Sequence, residues 1–412
     1  MEIAAQDRPG GTAPAVDLIA FDGSPFEEAL ALLSDWPQPV YLVGGAVRDE
    51  LLGLPHKERD WVVVGATPDE MLAAGFQQVG KDFPVFLHPT TKDEYALART
   101  ERKTGYGYKG FAFHTSTDVT LEQDLKRRDL TINAMAETAD GTLIDPYHGQ
   151  QDLNAGLLRH VSPAFAEDPV RILRTARFAA AFAKWGFKVA HSTNSLMRKM
   201  VDDGEVSHLV AERVWAELVK ALATDSPQQF FTVLRGCHAL SVLFPEIDRE
   251  YPHDCRTHAD KPGIAALEAL HHSVSYSEDP RLRFSVLLQA LGQNLTQHER
   301  IVQAETLCAR LRAPNDYTQL ALNAIRLERQ AGSDIPEDIL ELMESSGAFK
   351  QKGRWRLLLS VYQAAGLIDQ QRADGRPVRE FELSPLPLLL VLGFVKYTAE
   401  IGVGLPQHPL SQ

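Results

Sequence analysis

The order of apolar and polar positions divides the chain into a strand-rich part and a helical part. From about residue 40 to residue 150, short apolar runs alternate with turns, and the candidate strands are YLVGG, WVVVG, FPVFLH, EYALART and TLIDPY. From about residue 150 onward, apolar residues recur mostly at helical spacing, without comparable strands. Strands followed by helices favour the α+β class, with a sheet-containing head on a helical body.

A glycine pair lies between the first strand candidate and a short predicted helix. Residues 41–43 are predicted to form a buried strand, Gly44 and Gly45 a tight turn, and residues 46–52 a helix. Paired glycines before a helix let backbone N–H groups approach an anion closely. Arg48 adds a fixed positive charge suited to phosphate. The pattern therefore predicts a phosphate-binding turn, although an ordinary strand-to-helix turn has the same residues.

Carboxylates occur at the start of two of the candidate strands. Glu58 and Asp60 precede the apolar run 61–64 and would share one face, because strand residues two apart point the same way. Glu94 begins the EYALART run, and a strand there could lie beside the Asp60 strand. Carboxylates opposite a phosphate-binding turn can hold divalent ions that bind substrate phosphates. Taken singly, each of these residues also fits an ordinary surface position.

A compact basic cluster, KRR at residues 126–128, precedes a helix-like segment at residues 130–136. Arg128 could meet a triphosphate there, while Asp129 and Asn133 organise the sugar or the backbone. A solvated basic face is the alternative interpretation of the cluster.

The run EDPVRILRTARF predicts a helix whose polar residues share one face. Asp168, Arg171 and Arg174 recur at three-residue spacing, and Arg177 follows. A carboxylate beside a guanidinium can pair with the edge of a base: the carboxylate accepts from an exocyclic amino group, and the guanidinium donates to a ring nitrogen or carbonyl. A helix with salt bridges three residues apart is the alternative.

Composition limits the class of protein. The net charge of −13 argues against a protein that coats nucleic acid indiscriminately, although a local basic surface can still bind RNA. Cys237, Cys255 and Cys308 fit neither a zinc pattern nor a disulfide framework, which suggests a reducing compartment. No secretory signal or membrane span is expected. We therefore expect a cytoplasmic protein with no membrane partner.

The motifs GGAVRD, ERD, ART-ER, KRRDLTINA and EDPVRILRTARF, in this order, resemble bacterial class II tRNA nucleotidyltransferases, the CCA-adding enzymes. The resemblance implies a polymerase-β-like nucleotidyltransferase head with a mixed sheet, followed by an all-α neck, body and tail. The corresponding segments are an extension at 1–38, the head at 39–150, a nucleotide-recognising neck at 151–225, and a body and tail at 226–412.

The resemblance also implies a reaction. Such enzymes add C, C and A to the 3′ end of tRNA from CTP and ATP, with Mg²⁺ (or possible Mn²⁺) and no nucleic-acid template. The tRNA 3′-hydroxyl attacks the α-phosphate in line, and pyrophosphate leaves. No protein partner is implied. Carried over by position, the metal ligands are Glu58 and Asp60, and Asp168 and Arg171 are the base-reading pair. The nucleotide-binding residues are Gly45, Arg48, Arg128, Asp168, Arg171, Arg174 and Arg177. Glu94, which the strand pattern places beside Asp60, is expected as a further catalytic carboxylate.

The chain departs from the family pattern at two places. The family has Asp where this chain has Glu58, and the longer side chain is expected to alter metal affinity or choice. Related enzymes carry an HD-type phosphohydrolase domain, with a His-Asp pair where this chain has Gln289 and Ala290. Neither residue replaces such a metal pair, so we expect a degenerate HD region without hydrolase activity.

Two other functions fit parts of the pattern. A poly(A) polymerase-like enzyme would share the head but add only A, and such enzymes usually carry a long basic C-terminal region, which the tail GLPQHPLSQ is not. A non-catalytic RNA-binding protein would need neither paired carboxylates nor a base-reading pair.

Overall fold

The computed structural model describes residues 38–55, 59–79, 85–103, 111–114, 116–251, 264–331, 336–346 and 355–365. They form two compact units. One comprises the described residues up to Glu217 together with Gln229–Leu243, and the other comprises Leu218–Gln228 together with the described residues from Phe244 onward. The segment boundaries expected near residues 150 and 225 stay a prediction.

All strands of the described residues lie in the first unit. They are β1 (Val40–Val43), β2 (Asp60–Val63), β3 (Gln77–Val79), β4 (Val85–Leu87), β5 (Glu94–Leu97), β6 (Thr100–Lys103), β7 (Phe111–His114), β8 (Ala136–Glu137), β9 (Leu143–Ile144), β10 (Leu157–Leu158) and β11 (Lys188–Val189). Seven form one mixed sheet in the order β3-β4-β5-β2-β1-β8-β9. Only β2 and β5 pair in parallel within it, and β1 lies antiparallel to β2. The predicted mixed sheet is therefore confirmed.

Most of the described helices come after β9 in the chain, as the apolar pattern predicts. Up to Leu222 they are α1 (Gly45–Leu51), α2 (Pro68–Ala73), α3 (Leu121–Lys126), α4 (Gly149–Asn154), α5 (Val170–Ala181), α6 (His191–Asp202) and α7 (Ala211–Leu222). After it they are α8 (Gln228–Gly236), α9 (Ala239–Leu243), α10 (Pro245–Asp248), α11 (Ala265–Ser273), α12 (Pro280–Ala290), α13 (Gln297–Leu311), α14 (Asn315–Arg326), α15 (Glu328–Ala331), α16 (Pro336–Ser346) and α17 (residues 355–365). None of the helices in the described ranges is long and apolar enough to cross a membrane.

The alternation of strand residues builds a different surface on each side of the sheet. On one side, Trp61 and Tyr95 lie opposite each other on β2 and β5, and their rings stack with centroids 5.6 Å apart. This side forms a core with Leu42 and with Val47 of α1. The other side carries Val43 and Val62 against α3. Because residues in register point to the same side, Asp60 and Glu94 belong to this second side.

Two sequence-based predictions are wrong in detail. The EYALART run is not one strand: Ala98 donates its N–H to Val63, the Arg99 N–H donates to the Asp124 carboxylate, and β6 then pairs with β7 in a separate sheet. Residues 130–136 do not form a helix. They make a 3₁₀ turn, Thr131–Asn133, followed by β8, because backbone groups here bond to other elements: the Thr131 N–H donates to the Arg159 carbonyl, and the Met135 carbonyl accepts from the Gly44 N–H.

Candidate active site

The candidate site begins where β1, β2 and β5 present one residue each. Asp60 lies opposite Glu94 on β5 and opposite Val43 on β1. Both carboxylate residues are exposed, at the first position of their strands. The adjacency predicted for Glu94 is thus confirmed. Glu58, the other predicted metal ligand, lies outside the described residues.

The glycine turn follows directly from β1. Gly44 has a φ of +75°, which side chains rarely adopt, and its N–H donates to the Met135 carbonyl at 3.2 Å. A Cβ on Gly44 would lie 2.8 Å from a terminal nitrogen of Arg128. Because Gly44 has no side chain, Arg128 can approach the turn closely. Gly45, the next residue, is the first residue of α1.

Arg48, which the sequence places at the phosphate, is buried within a network. Its Nε donates to Asp49 at 2.8 Å, and one terminal nitrogen donates to the Asn133 side chain at 2.5 Å. Burial lowers the pKa of this guanidinium, while Asp49 opposes that shift. Arg48 therefore links α1 to the 3₁₀ turn that carries Asn133.

The network continues to α5 through Asp129. One oxygen of this buried carboxylate accepts from Asn133 at 3.0 Å, and the other accepts from Nε of Arg174 at 2.6 Å. Burial alone would raise the pKa of Asp129, but the charge of Arg174 and the bond from Asn133 outweigh it and hold the pKa well below its usual range. A continuous chain of polar bonds thus joins Arg48 to Arg174.

A second buried carboxylate fixes the basic cluster. Asp124 of α3 accepts from Arg127 at 2.8 Å and from Arg128 at 3.3 Å. Burial opposes ionisation of Asp124, but these arginines lower its pKa overall. Arg128 is thereby held against the glycine turn, where it also donates to the Asn133 carbonyl at 3.5 Å.

The helix α5 carries the predicted arginines. The side chains of the proposed base-reading pair, Asp168 and Arg171, bond to different partners. Asp168 accepts two bonds from Arg213 of α7, at 3.0 and 2.7 Å. The buried Arg171 donates to the carbonyls of Ala164 and Arg128, at 3.1 and 3.4 Å. Asp168 precedes α5 in an extended conformation, so the shared helix face predicted for it and Arg171 is wrong, and the role of the two residues in reading bases stays a prediction.

Sequence reasoning missed two residues of α7 that bond to α5 or to the segment just before it. Arg213 holds Asp168, and Glu217 accepts from Nε of Arg177 at 2.6 Å. They stand four apart in the run AERVWAEL, so they share one helix face. The spacing could have indicated a polar helix face. Nothing in the sequence shows that this face bonds to residues more than 35 positions earlier.

The chemistry of the two described carboxylates suits a hard divalent cation. Mg²⁺ is typically bound by one or two carboxylates together with water and substrate phosphates. Asp60 and Glu94 provide this donor set as exposed residues at the starts of two neighbouring strands. Among the described ranges, no group of three or more potential protein ligands is assembled. The carboxylates of Asp60 and Glu94 fit an ion that is shared with a substrate, since such ions bind water and substrate phosphates besides one or two carboxylates.

Comparisons with known proteins identify the family to which the chain is similar. The family model described as the Poly A polymerase head domain matches residues 40–159, and the model described as the probable RNA and SrmB-binding site of polymerase A matches residues 186–251. The Multifunctional CCA protein of Alkalilimnicola ehrlichii is 52% identical over 363 residues, covering 83% of this chain and 88% of the relative. That of Nitrosococcus oceani is 53% identical over 342 residues, covering 79% and 84%.

A solved structure has the same fold. It is a tRNA nucleotidyltransferase complexed with a primer tRNA and an incoming ATP analog, with a TM-score of 0.56 and 22% identity. The match covers 91% of this chain and 99% of that one.

Proposed function

This chain belongs to the family of bacterial CCA-adding enzymes, and we propose that it adds or repairs the 3′-terminal CCA of tRNA. The nucleotides are CTP and ATP, and no nucleic-acid template is needed. The observation that carries the proposal is the alignment of Asp60 with Glu94 next to the glycine turn of β1 and α1. The relatives named Multifunctional CCA proteins, matched over most of their length, support the choice of CCA addition.

The carboxylates are proposed to hold the divalent cation, Mg²⁺ or alternatively Mn²⁺, with Glu58 as a further ligand. When bound, such a cation favours the ionised form of the attacking hydroxyl and neutralises charge on the phosphates. Asp60 and Glu94 supply the negative charge that retains it at the sheet. Their exposure leaves access for both the tRNA end and the nucleotide.

The basic residues are proposed to bind and orient the triphosphate. Arg128 lies against Gly44, so its charge is close to the turn at which a phosphate would approach. Arg174 and Arg177 extend this positive region along α5. Placed there, they stabilise the charge that develops as the 3′-oxygen bonds to the α-phosphorus and the bond to the leaving pyrophosphate breaks.

Base choice is proposed to depend on Asp168 and Arg171. A carboxylate and a guanidinium accept the amino-bearing bases C and A and disfavour U and G. The bidentate contact from Arg213 fixes the plane of the Asp168 carboxylate. Arg171 is fixed by two carbonyls, which limits the rotation of its guanidinium.

The second unit is proposed to act as a scaffold and tRNA surface without phosphohydrolase activity. Gln289 and Ala290, where an HD domain would have its metal pair, lie buried in α12. Arg300 donates to the Gln289 carbonyl, which puts a positive charge at this position. As a tRNA-processing enzyme with buried free thiols at Cys237 and Cys308, the protein is proposed to act in the cytoplasm.

The proposal is tested by offering labelled CTP and ATP, separately and together, to a tRNA transcript that lacks its 3′ CCA. Addition of two C residues and then one A is expected, and Asp60→Ala should abolish it. Addition of A alone would instead identify the poly(A) polymerase-like function. Binding of the transcript without any incorporation would identify a non-catalytic RNA-binding protein.

A further inference from the structure

Three guanidinium groups converge on a single aromatic ring, that of Phe178. The central carbon of Arg177 lies 4.2 Å from the ring centroid, that of Arg48 lies 5.1 Å from it, and that of Arg174 lies 5.8 Å from it. Phe178 is buried, and its ring stacks on Phe182 with an interplanar angle of 13°. The ring of Phe178 therefore lies close to the arginine of α1 and to two of the three arginines of α5.

Carboxylates alone do not account for this convergence. Asp49, Asp129 and Glu217 each accept from the Nε of one arginine, so they fix each guanidinium at one edge. The guanidiniums nevertheless repel one another, since the positive charge of Arg177 contributes to the lowered pKa of Arg48, behind the larger effect of burial. An aromatic face attracts cations, because its π electrons present negative charge.

We infer that Phe178 is a positioning residue for the incoming nucleotide, which holds Arg48, Arg174 and Arg177 together through its ring face. The inference rests on the proposed function, because it takes Arg174 and Arg177, together with Arg48 as the sequence predicts, as binding residues for the triphosphate. Phe178 does not contact the reacting atoms. Its part is to keep three like charges close enough for one polyanion to meet them at once.

The neighbouring rings provide a graded set of controls. Among the described residues, the ring of Phe178 has three guanidiniums over it, whereas that of Phe182 has only the guanidinium of Arg48, at 5.1 Å. Phe187 packs on Phe182 with centroids 5.2 Å apart, and no arginine or lysine of the described ranges lies over its ring. All three rings are buried to a similar degree. A purely structural role predicts similar effects at the three positions, whereas attraction to the ring face predicts a gradient.

The test replaces each phenylalanine in the full-length protein, first by leucine and then by pentafluorophenylalanine. Pentafluorination keeps a ring of nearly the same shape but withdraws π electron density, so that the ring face no longer attracts a cation. KM and kcat for CTP and ATP would be measured with tRNA, and the Kd of CTP by calorimetry without it. At position 178 the KM and Kd are expected to rise about 10-fold with little change in kcat, at position 182 about 2-fold to 3-fold, and at position 187 not at all.

Each outcome decides the inference. A gradient in KM that is reproduced by fluorination supports it. Equal effects at the three positions, or a rise with leucine that fluorination does not reproduce, would overturn it, because packing would then explain the result. A fall in kcat without a change in KM or Kd would also overturn it. If the wild-type protein incorporated neither nucleotide, the proposed function would fail, while the calorimetric Kd values would still decide the role of Phe178.

Discussion

The carboxylate of Asp129 connects Asn133, and through it Arg48, to α5. The substitution Asp129→Asn is expected to destabilise the first unit substantially. One oxygen accepts from the Leu130 N–H at 2.8 Å and from Asn133 at 3.0 Å, and the other accepts from Arg174 at 2.6 Å. An asparagine can retain the first two bonds through its single carbonyl oxygen. Its amino group would then face the Nε–H of Arg174, so that two donors meet.

The size of the effect follows from that lost bond. A hydrogen bond to a charged group contributes about 1.5–3 kcal/mol, and an unsatisfied buried donor adds a further cost of about 1–3 kcal/mol. The Arg174 side chain is 37% exposed, so water recovers part of this. We therefore expect the free energy of unfolding to fall by about 2–3 kcal/mol at neutral pH.

The measurement is equilibrium unfolding in urea, with Asp203→Asn as the matched control. The Lys199–Asp203 pair has an N–O distance of 2.7 Å, but its side chains are 71% and 54% exposed. Such surface pairs contribute about 0–1 kcal/mol, so the control is expected to change little. A loss below about 1 kcal/mol for Asp129→Asn, or an equal loss for both variants, would refute the reasoning.

The pH dependence gives an independent check on the same carboxylate. Because its pKa is lowered in the folded protein, the unfolded chain binds the proton more readily. The stabilisation is therefore present above the ordinary carboxyl pKa of about 4 and is lost as the pH falls further. The difference between wild type and Asp129→Asn should stay constant from pH 8 to about 5 and shrink below about 4.

Three further changes follow from the site and the second unit. Arg213→Met removes both bonds to Asp168 and should raise KM for CTP and ATP about 10-fold in steady-state kinetics, because the carboxylate loses its fixed orientation. Glu58→Asp shortens the ligand by one methylene and should raise kcat with Mg²⁺, by up to about 10²-fold if the extra methylene misplaces the ion. Adding Mn²⁺, Co²⁺ or Ni²⁺ should produce no hydrolysis of p-nitrophenyl phosphate esters, because Gln289 stands where a metal-ligand pair is needed.

Each of these three predictions can be contradicted by a specific result. Arg326→Met breaks an exposed pair with Glu305 and should leave KM unchanged; an unchanged KM in Arg213→Met as well would refute the role given to that residue. A lower rate for Glu58→Asp with Mg²⁺ would mean that the site is adapted to glutamate. Metal-dependent ester hydrolysis that survives in Asp60→Ala would mean that the second unit retains a phosphohydrolase centre.

The sequence predicts the elements at the site better than their contacts. The glycine turn, the strand of Asp60 and its neighbour with Glu94 are recognisable because apolar runs and turn residues act locally. The break after Leu97 was not recognisable, because it depends on a carboxylate 25 residues away that bonds to the Arg99 N–H. A hydrogen bond between a backbone N–H and a side chain so far away in the sequence produces no periodic pattern of residues.

The arginines illustrate the same limit. Their spacing on α5 was readable from the sequence, but the partner of each one was not. Arg174 bonds to Asp129, and Arg177 bonds to Glu217, 40 positions later in the chain. The approach of three guanidiniums to Phe178 likewise depends on tertiary packing, since Arg48 lies in α1, far from Phe178 in the sequence.

The most direct test of the account is the metal dependence of Asp60→Cys in a single-turnover assay of CMP transfer to tRNA that lacks its 3′ CCA. A thiolate is a poor ligand for Mg²⁺ but a good one for softer ions. The account predicts transfer reduced by at least about 10²-fold in Mg²⁺, partly restored by Mn²⁺ or Cd²⁺, with tRNA binding unchanged. Transfer at the wild-type rate in Mg²⁺ would contradict it, because Asp60 would then not hold the ion on which the proposed reaction depends.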